Sequence, residues 1–262
     1  MTPNASFERT ATGKALGPRA SQCHHPSRGP SASPASAAQL QRQASHIRFT
    51  ATRGSSLIKA VFFDYDGVLT TDKTGSHTTT RYLSEVTGLE LSALKGAFAR
   101  FNKELTLGKT THAQIWPELC RTLGRELDIR LLHQAFESTP KNSEVFSLAR
   151  RLRKRHCVGI ITDNKKDRID YLKQCQDLGA LFDPIVVSAE IGSDKRSPEI
   201  FLHALHLAGV SPGEAVFIDN DAHNLGAPNA LGINTIFHDD EKNDIDALLG
   251  SLDALGIRAS DA

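Results

Sequence analysis

Two carboxylates one residue apart carry the strongest chemical signal in this chain. Asp64 and Asp66 follow the run Ile58-Lys59-Ala60-Val61-Phe62-Phe63 and precede Gly67-Val68-Leu69-Thr70. Anions this close repel unless a proton or a cation lies between them. Hard divalent cations such as magnesium take oxygen ligands, so a metal is the natural resolution. The run before the pair is rich in β-branched and aromatic residues, which suits a buried strand over 58–63. Gly67 lets the backbone turn sharply after it. Ligands of open α/β sheets sit beyond the carboxyl ends of the strands, so the pair stands where such a fold does chemistry. The plain alternative is a strand that ends in a solvated Asp-Gly turn.

The elements around this strand follow from periodicity. Short apolar runs predict strands over 158–162, 185–188, 215–218 and 233–237. Helical patterns over 142–155, 165–177, 198–208, 224–231 and 243–255 alternate with them. Pro198 suits a first helical turn, and Gly179 is a candidate C-cap. Alternation of this kind predicts an α/β fold with a doubly wound parallel sheet. Residues 71–80 read as a polar linker. The following stretch is helical throughout, over about 79–87, 91–106, a segment capped by Thr110 or Thr111, and 128–137. This gives a core of 57–75 and 139–262 interrupted by a helical insertion, 76–138. Phe98, Phe101 and Trp116 sit at core spacing within the insertion, with pocket lining as the alternative. His112 and His133 read as surface or insertion residues.

The spacing Asp64-x-Asp66-Gly67-Val68 resembles the first motif of haloacid dehalogenase superfamily phosphohydrolases. Three further blocks are similar to later motifs of that family, in order: Ile160-Ile161-Thr162-Asp163-Asn164, Gly192 to Phe201 around Lys195, and Val216-Phe217-Ile218-Asp219-Asn220-Asp221. The resemblance covers residues 58 to about 240. It implies a Rossmann-like core with a helical cap and a magnesium-dependent hydrolase acting on a small phosphorylated metabolite. It also implies roles. Asp64 is the nucleophile and Asp66 the general acid/base. Thr162, the backbone amide of Asp163 and Lys195 hold the phosphoryl group, and Asp64, the Asp66 carbonyl, Asp219 and Asn220 bind the metal. The chain departs from the family pattern twice. Arg196 and Ser197 replace a Pro-Asp pair, and Asn220 stands where most relatives carry an acid, leaving either Asn220 or Asp221 to complete the metal site. Alternatives are a 2-haloacid dehalogenase, a sugar-phosphate mutase and a non-catalytic binding protein.

Composition narrows the partners. The 262 residues carry a formal net charge of +1, unevenly spread. Residues 1–56 hold seven basic residues and one acid, against 24 and 29 in the remainder. The acidic body argues against nucleic acid, and the Arg150–Arg155 run fits the cationic end of a helix. No apolar run reaches the ~20 residues of a membrane span. Residues 1–56 are Ser-, Ala- and Arg-rich and predict a disordered tail, with an organelle transit segment as the alternative to a cytoplasmic protein. Cys23, Cys120, Cys157 and Cys175 form no close pairs and read as reduced structural thiols. A monomer or a homodimer is expected.

Overall fold

The structure, a computed structural model, describes residues 57–258, so the expectations for 1–56 lie outside it. Five parallel strands form one sheet: β1 (Ala60–Phe63), β2 (Cys157–Thr162), β3 (Ile185–Val187), β4 (Ala215–Asp219) and β5 (Asn234–Phe237), in the order β3-β2-β1-β4-β5. The central strand β1 sets the register for both neighbours, with Phe63 opposite Ile160 and Ile218. Side chains alternate across a strand, so β1 feeds two cores. Val61 and Phe63 pack on one face with Phe146, Ile169, Leu172 and Leu252. Ala60 and Phe62 pack on the other with Ile200, Phe201 and Phe217. Each fully buried aromatic contributes about 1.5–3 kcal/mol to folding, which pins the strand carrying Asp64 in place.

The helices between β1 and β2 are α1 (Gly75–Thr87), α2 (Leu91–Ala99), α3 (Asn102–Thr106), α4 (His112–Leu123), α5 (Arg130–Glu137) and α6 (Ser143–Leu152). Helices α1, α2, α4 and α5 bury their own cluster, including Leu83, Leu94, Phe98, Trp116, Leu119 and Phe136. Trp116 anchors it by donating Nε1 to the Leu127 carbonyl at 2.8 Å. The remaining helices are α7 (Lys166–Cys175), α8 (Leu178–Leu181), α9 (Ser188–Ile191), α10 (Pro198–Ala208), α11 (Gly226–Leu231) and α12 (Ile245–Ala254).

Several boundaries differ from the sequence reading. The linker over 71–80 is half helix, because Thr74 caps α1 by accepting from His77 N at 3.2 Å. The segment 91–106 is two helices broken at Arg100–Phe101. Gly179 does not cap α7. It lies inside α8, and Asp177, in the left-handed region at φ 52°, makes the turn instead. The run Arg150–Arg155 continues past the end of α6 at Leu152, where Arg153 donates to the Leu181 carbonyl. No helix among the described residues is long and apolar enough to cross a membrane.

Candidate active site

The carboxyl ends of β1, β2 and β4 meet at one pocket of about 580 Å3, lined by Asp64, Asp66, Thr162, Asp163, Lys195 and Asn220 among others. Parallel pairing in register makes this inevitable once each strand ends in its functional residue. Asp64 follows β1, Thr162 ends β2 and Asp219 ends β4. Beyond Asp64 the chain enters a tight turn, in which Gly67 takes φ +79°. A Cβ there would also lie 2.2 Å from Asn220 Nδ2, so glycine is required twice over.

Lys195 organises the centre. Its Nζ lies 2.7 Å from Asp64 Oδ2 and 2.7 Å from Asp219 Oδ2, with all three side chains buried. Its backbone N–H donates to Asp163 Oδ1 at 3.0 Å, which fixes the loop despite the replaced Pro-Asp pair. Asp64 accepts from Tyr65 N through Oδ1 at 2.7 Å, so each oxygen has one donor and retains a lone pair. Asp219 Oδ1 accepts from Asp221 N at 2.7 Å, and Asn224 Nδ2 reaches the same carboxylate. One ammonium cannot neutralise two buried carboxylates. Burial, with the charges of Asp219 and Asp66, pushes the Asp64 carboxyl up to about 8 against the opposing pull of Lys195. Burial alone would lower Lys195, but Asp64, Asp219 and Asp163 raise it, so it stays charged. Burial raises Asp163 as well, against Lys195.

The donors around this excess of negative charge suit a hard divalent cation. They are all oxygen: Asp64, Asp219, the Asp66 carbonyl and the amide oxygen of Asn220. Asn220 Nδ2 donates to Asp240 Oδ1 at 3.3 Å, which leaves Oδ1 for a cation. The Asp221 carboxylate is exposed and bound instead to His223 N at 3.0 Å and Nδ1 at 2.9 Å. Asn220 Oδ1 is thus unengaged, while His223 holds one oxygen of Asp221, and both residues line the pocket. Magnesium is commonly held by only one or two carboxylates, keeping waters for the remaining positions, which this set supplies.

The side chain of Asp66 is placed by a residue that the sequence reading passed over. Arg168, buried on α7, grips it with Nη1 to Oδ2 at 2.8 Å and Nη2 to Oδ1 at 2.9 Å. Asn164 adds Nδ2 to Oδ2 at 2.8 Å. Thr162 Oγ1 accepts from the same amide at 3.3 Å. Nothing local in the sequence marks Arg168, since an arginine in an amphipathic helix ordinarily faces water. Asp240, in the turn after β5, was missed as well, because nothing local ties it to Asn220. His112, read as a surface or insertion residue, lies in the insertion helix α4. It is buried, its Nδ1 lies 2.8 Å from Asp167 Oδ2, and its ring packs against Phe98 and Phe136. His133 is exposed and stacks on Tyr171.

Residues 58–232 match the family of haloacid dehalogenase-like hydrolases. The chain is 28% identical to the phosphatase MT3486 of Mycobacterium tuberculosis over 212 residues, covering 76% of this chain and 95% of that one. It is 27% identical to the rat bifunctional epoxide hydrolase 2 over 201 residues, 68% of this chain but 36% of that protein's length. Among solved structures, the enzyme BT-2542 of Bacteroides thetaiotaomicron in complex with magnesium and inorganic phosphate superposes with a TM-score of 0.55. That pair is 22% identical and covers 69% of this chain and 93% of the other.

Proposed function

Because the chain belongs to the haloacid dehalogenase-like hydrolases, we propose that it is a magnesium-dependent phosphohydrolase of small phosphomonoesters, working through an aspartyl-phosphate on Asp64. The observation that carries this reading is the buried trio at the strand ends, with Lys195 Nζ at 2.7 Å from both Asp64 and Asp219. A carboxylate fixed by two donors beside a permanent cation is an oriented nucleophile next to a site for a phosphoryl oxygen. Thr162 and Asp163 line the same pocket, and the Thr162 hydroxyl and the Asp163 amide suit the remaining oxygens. Magnesium, held by Asp64, Asp219, the Asp66 carbonyl and Asn220 Oδ1, would supply charge neutralisation of the phosphoryl group.

Asp66 moves the proton. It gives one to the departing oxygen in the first half-reaction and takes one from water in the second. Arg168 and Asn164 fix its carboxylate, while Oδ1 has a single donor and keeps capacity for that proton. A carbon–halogen substrate fits less well, because a departing halide needs no acid and the ordered Asp66 would serve no purpose. The phosphatase name of the M. tuberculosis relative supports the same choice.

The test is release of phosphate from 4-nitrophenyl phosphate with and without magnesium, and acid-quenched detection of phosphoenzyme. Metal-dependent release that disappears in Asp64→Asn is expected. Undiminished release in Asp64→Asn, or no metal-dependent release from any phosphomonoester, would sink the reading.

A further inference from the structure

A second cavity, of about 370 Å3, adjoins the catalytic pocket and shares Thr74, Gly75, Ser76, Asn102 and Lys165 with it. Its walls come from both layers: Phe98, Leu105 and Phe136 from the helical insertion, and Lys165 and Arg168 from the start of α7. The charge pattern of the two spaces differs. The catalytic pocket is lined by five aspartates and five Lys/Arg residues, whereas the second cavity has no aspartate or glutamate and three basic side chains, Lys95, Lys165 and Arg168.

These three cations are not equivalent. Arg168 is neutralised by Asp66. Lys95 is exposed, and water solvates it. Lys165 is half-buried, borders both spaces, and its ammonium has no ion pair or hydrogen bond among the described residues. Burial, reinforced by Arg168, pushes it down to about 8 in spite of Asp66, Asp163 and Asp167. A cation withdrawn from water without a partner carries a desolvation cost that an arriving anion would offset. Lys165 also stands at the N-terminus of α7, where the helix dipole favours negative charge.

We propose that this cavity receives the leaving group of the phosphomonoester, and that the leaving group is a short carbon skeleton bearing a carboxylate that pairs with Lys165. The inference rests on the phosphohydrolase reading for the position of the phosphoryl group. The volume lies near the lower end of small-molecule sites, so only a short skeleton fits, and Phe98, Leu105 and Phe136 offer it apolar walls. One available ammonium balances a monoanion better than the dianion of a second phosphate.

Two non-hydrolysable probes of equal shape test the pairing: 3-phosphonopropionate and its uncharged amide, titrated calorimetrically in the presence of magnesium. Wild type should bind the carboxylate about tenfold tighter or more, the range of one charge-assisted hydrogen bond. Lys165→Met should bring the ratio close to one, and Lys165→Arg should preserve a preference. Equal affinities in wild type, or an unchanged ratio in Lys165→Met, would overturn the proposal. The wild-type ratio decides the matter even where a variant does not fold. Turnover of 4-nitrophenyl phosphate, measured in parallel, reports on the phosphohydrolase reading separately. Turnover combined with equal affinities rejects the cavity proposal alone.

Discussion

Replacing Arg168 with Met should expose how much of the site rests on one buried ion pair. The Arg168 and Asp66 side chains are 2% and 12% exposed, so the pair belongs to the buried regime, not the surface regime worth ~0–1 kcal/mol. Arg168→Met strips Asp66 of two hydrogen bonds and leaves a carboxylate without its cation. It also removes the bond to Asn164 Oδ1 at 3.0 Å and the contact with the Tyr65 ring. Breaking a buried pair in this way costs about 3–5 kcal/mol. With a urea m-value of about 2 kcal/mol/M, the midpoint should fall by about 1.5–2.5 M. Asp66→Asn in the same background removes the stranded charge, so the double variant should recover much of the loss. The assay is urea unfolding of wild type, both single variants and the double. A coupling energy of about 2 kcal/mol or more is expected. Single effects that add to within about 0.5 kcal/mol would refute the reasoning, since independent sites behave that way.

Four further outcomes follow from the same geometry. The Asp64 carboxyl is raised in the folded chain to about 8, so its contribution to stability is present below ~4 and is lost as pH rises towards 8. In EDTA, Asp64→Asn should therefore melt higher than wild type at pH 8 and show a smaller difference near pH 4, and an unchanged gap between the two pH values would contradict this. Asn220→Asp should bind magnesium more tightly through an added charge, yet lower the melting temperature without metal, because Asn220 Nδ2 now donates to Asp240; a half-activating magnesium concentration equal to or above that of wild type would show the position is misassigned. Gly67→Ala should lose metal-dependent activity and stability together, given φ +79° and a Cβ 2.2 Å from Asn220, as read by thermal melts and phosphate release. Asp66→Asn should slow phosphoenzyme formation by about 10²–10⁴-fold with an alkyl phosphate and far less with 4-nitrophenyl phosphate, and equal losses on both substrates in single-turnover kinetics would remove Asp66 from the proton-transfer role.

The legible parts of this protein are those whose signal is local. Phe62, Phe63, Ile160, Ile161, Phe217 and Ile218 are continuous apolar runs, and strands buried on both faces must read that way. Each run ends at a residue of the site: Asp64 and Thr162 line the pocket, and Asp219 meets Lys195 beside Asp64. Parallel pairing then aligns them without further instruction, and Pro198 opens α10 where its lost N–H is free of cost. Boundaries were less legible where a cap or a left-handed residue outweighed periodicity, as at Thr74 and Asp177.

What the tertiary structure alone decided is which polar side chains leave water. Arg168 lies 102 positions from Asp66 along the chain, and Asp167 lies 55 from His112. In sequence Arg168, Asp167 and His112 are ordinary polar residues of helical segments, and nothing in their neighbours marks them for these partners. Docking of α7 between the sheet and the helical insertion withdraws Arg168 and His112 from solvent, and a buried charge must then find its partner. The same packing places Lys165 between two cavities without such a partner. Local periodicity encodes which face of an element is apolar, whereas the pairing of charges across a hundred residues depends on where the elements come to rest.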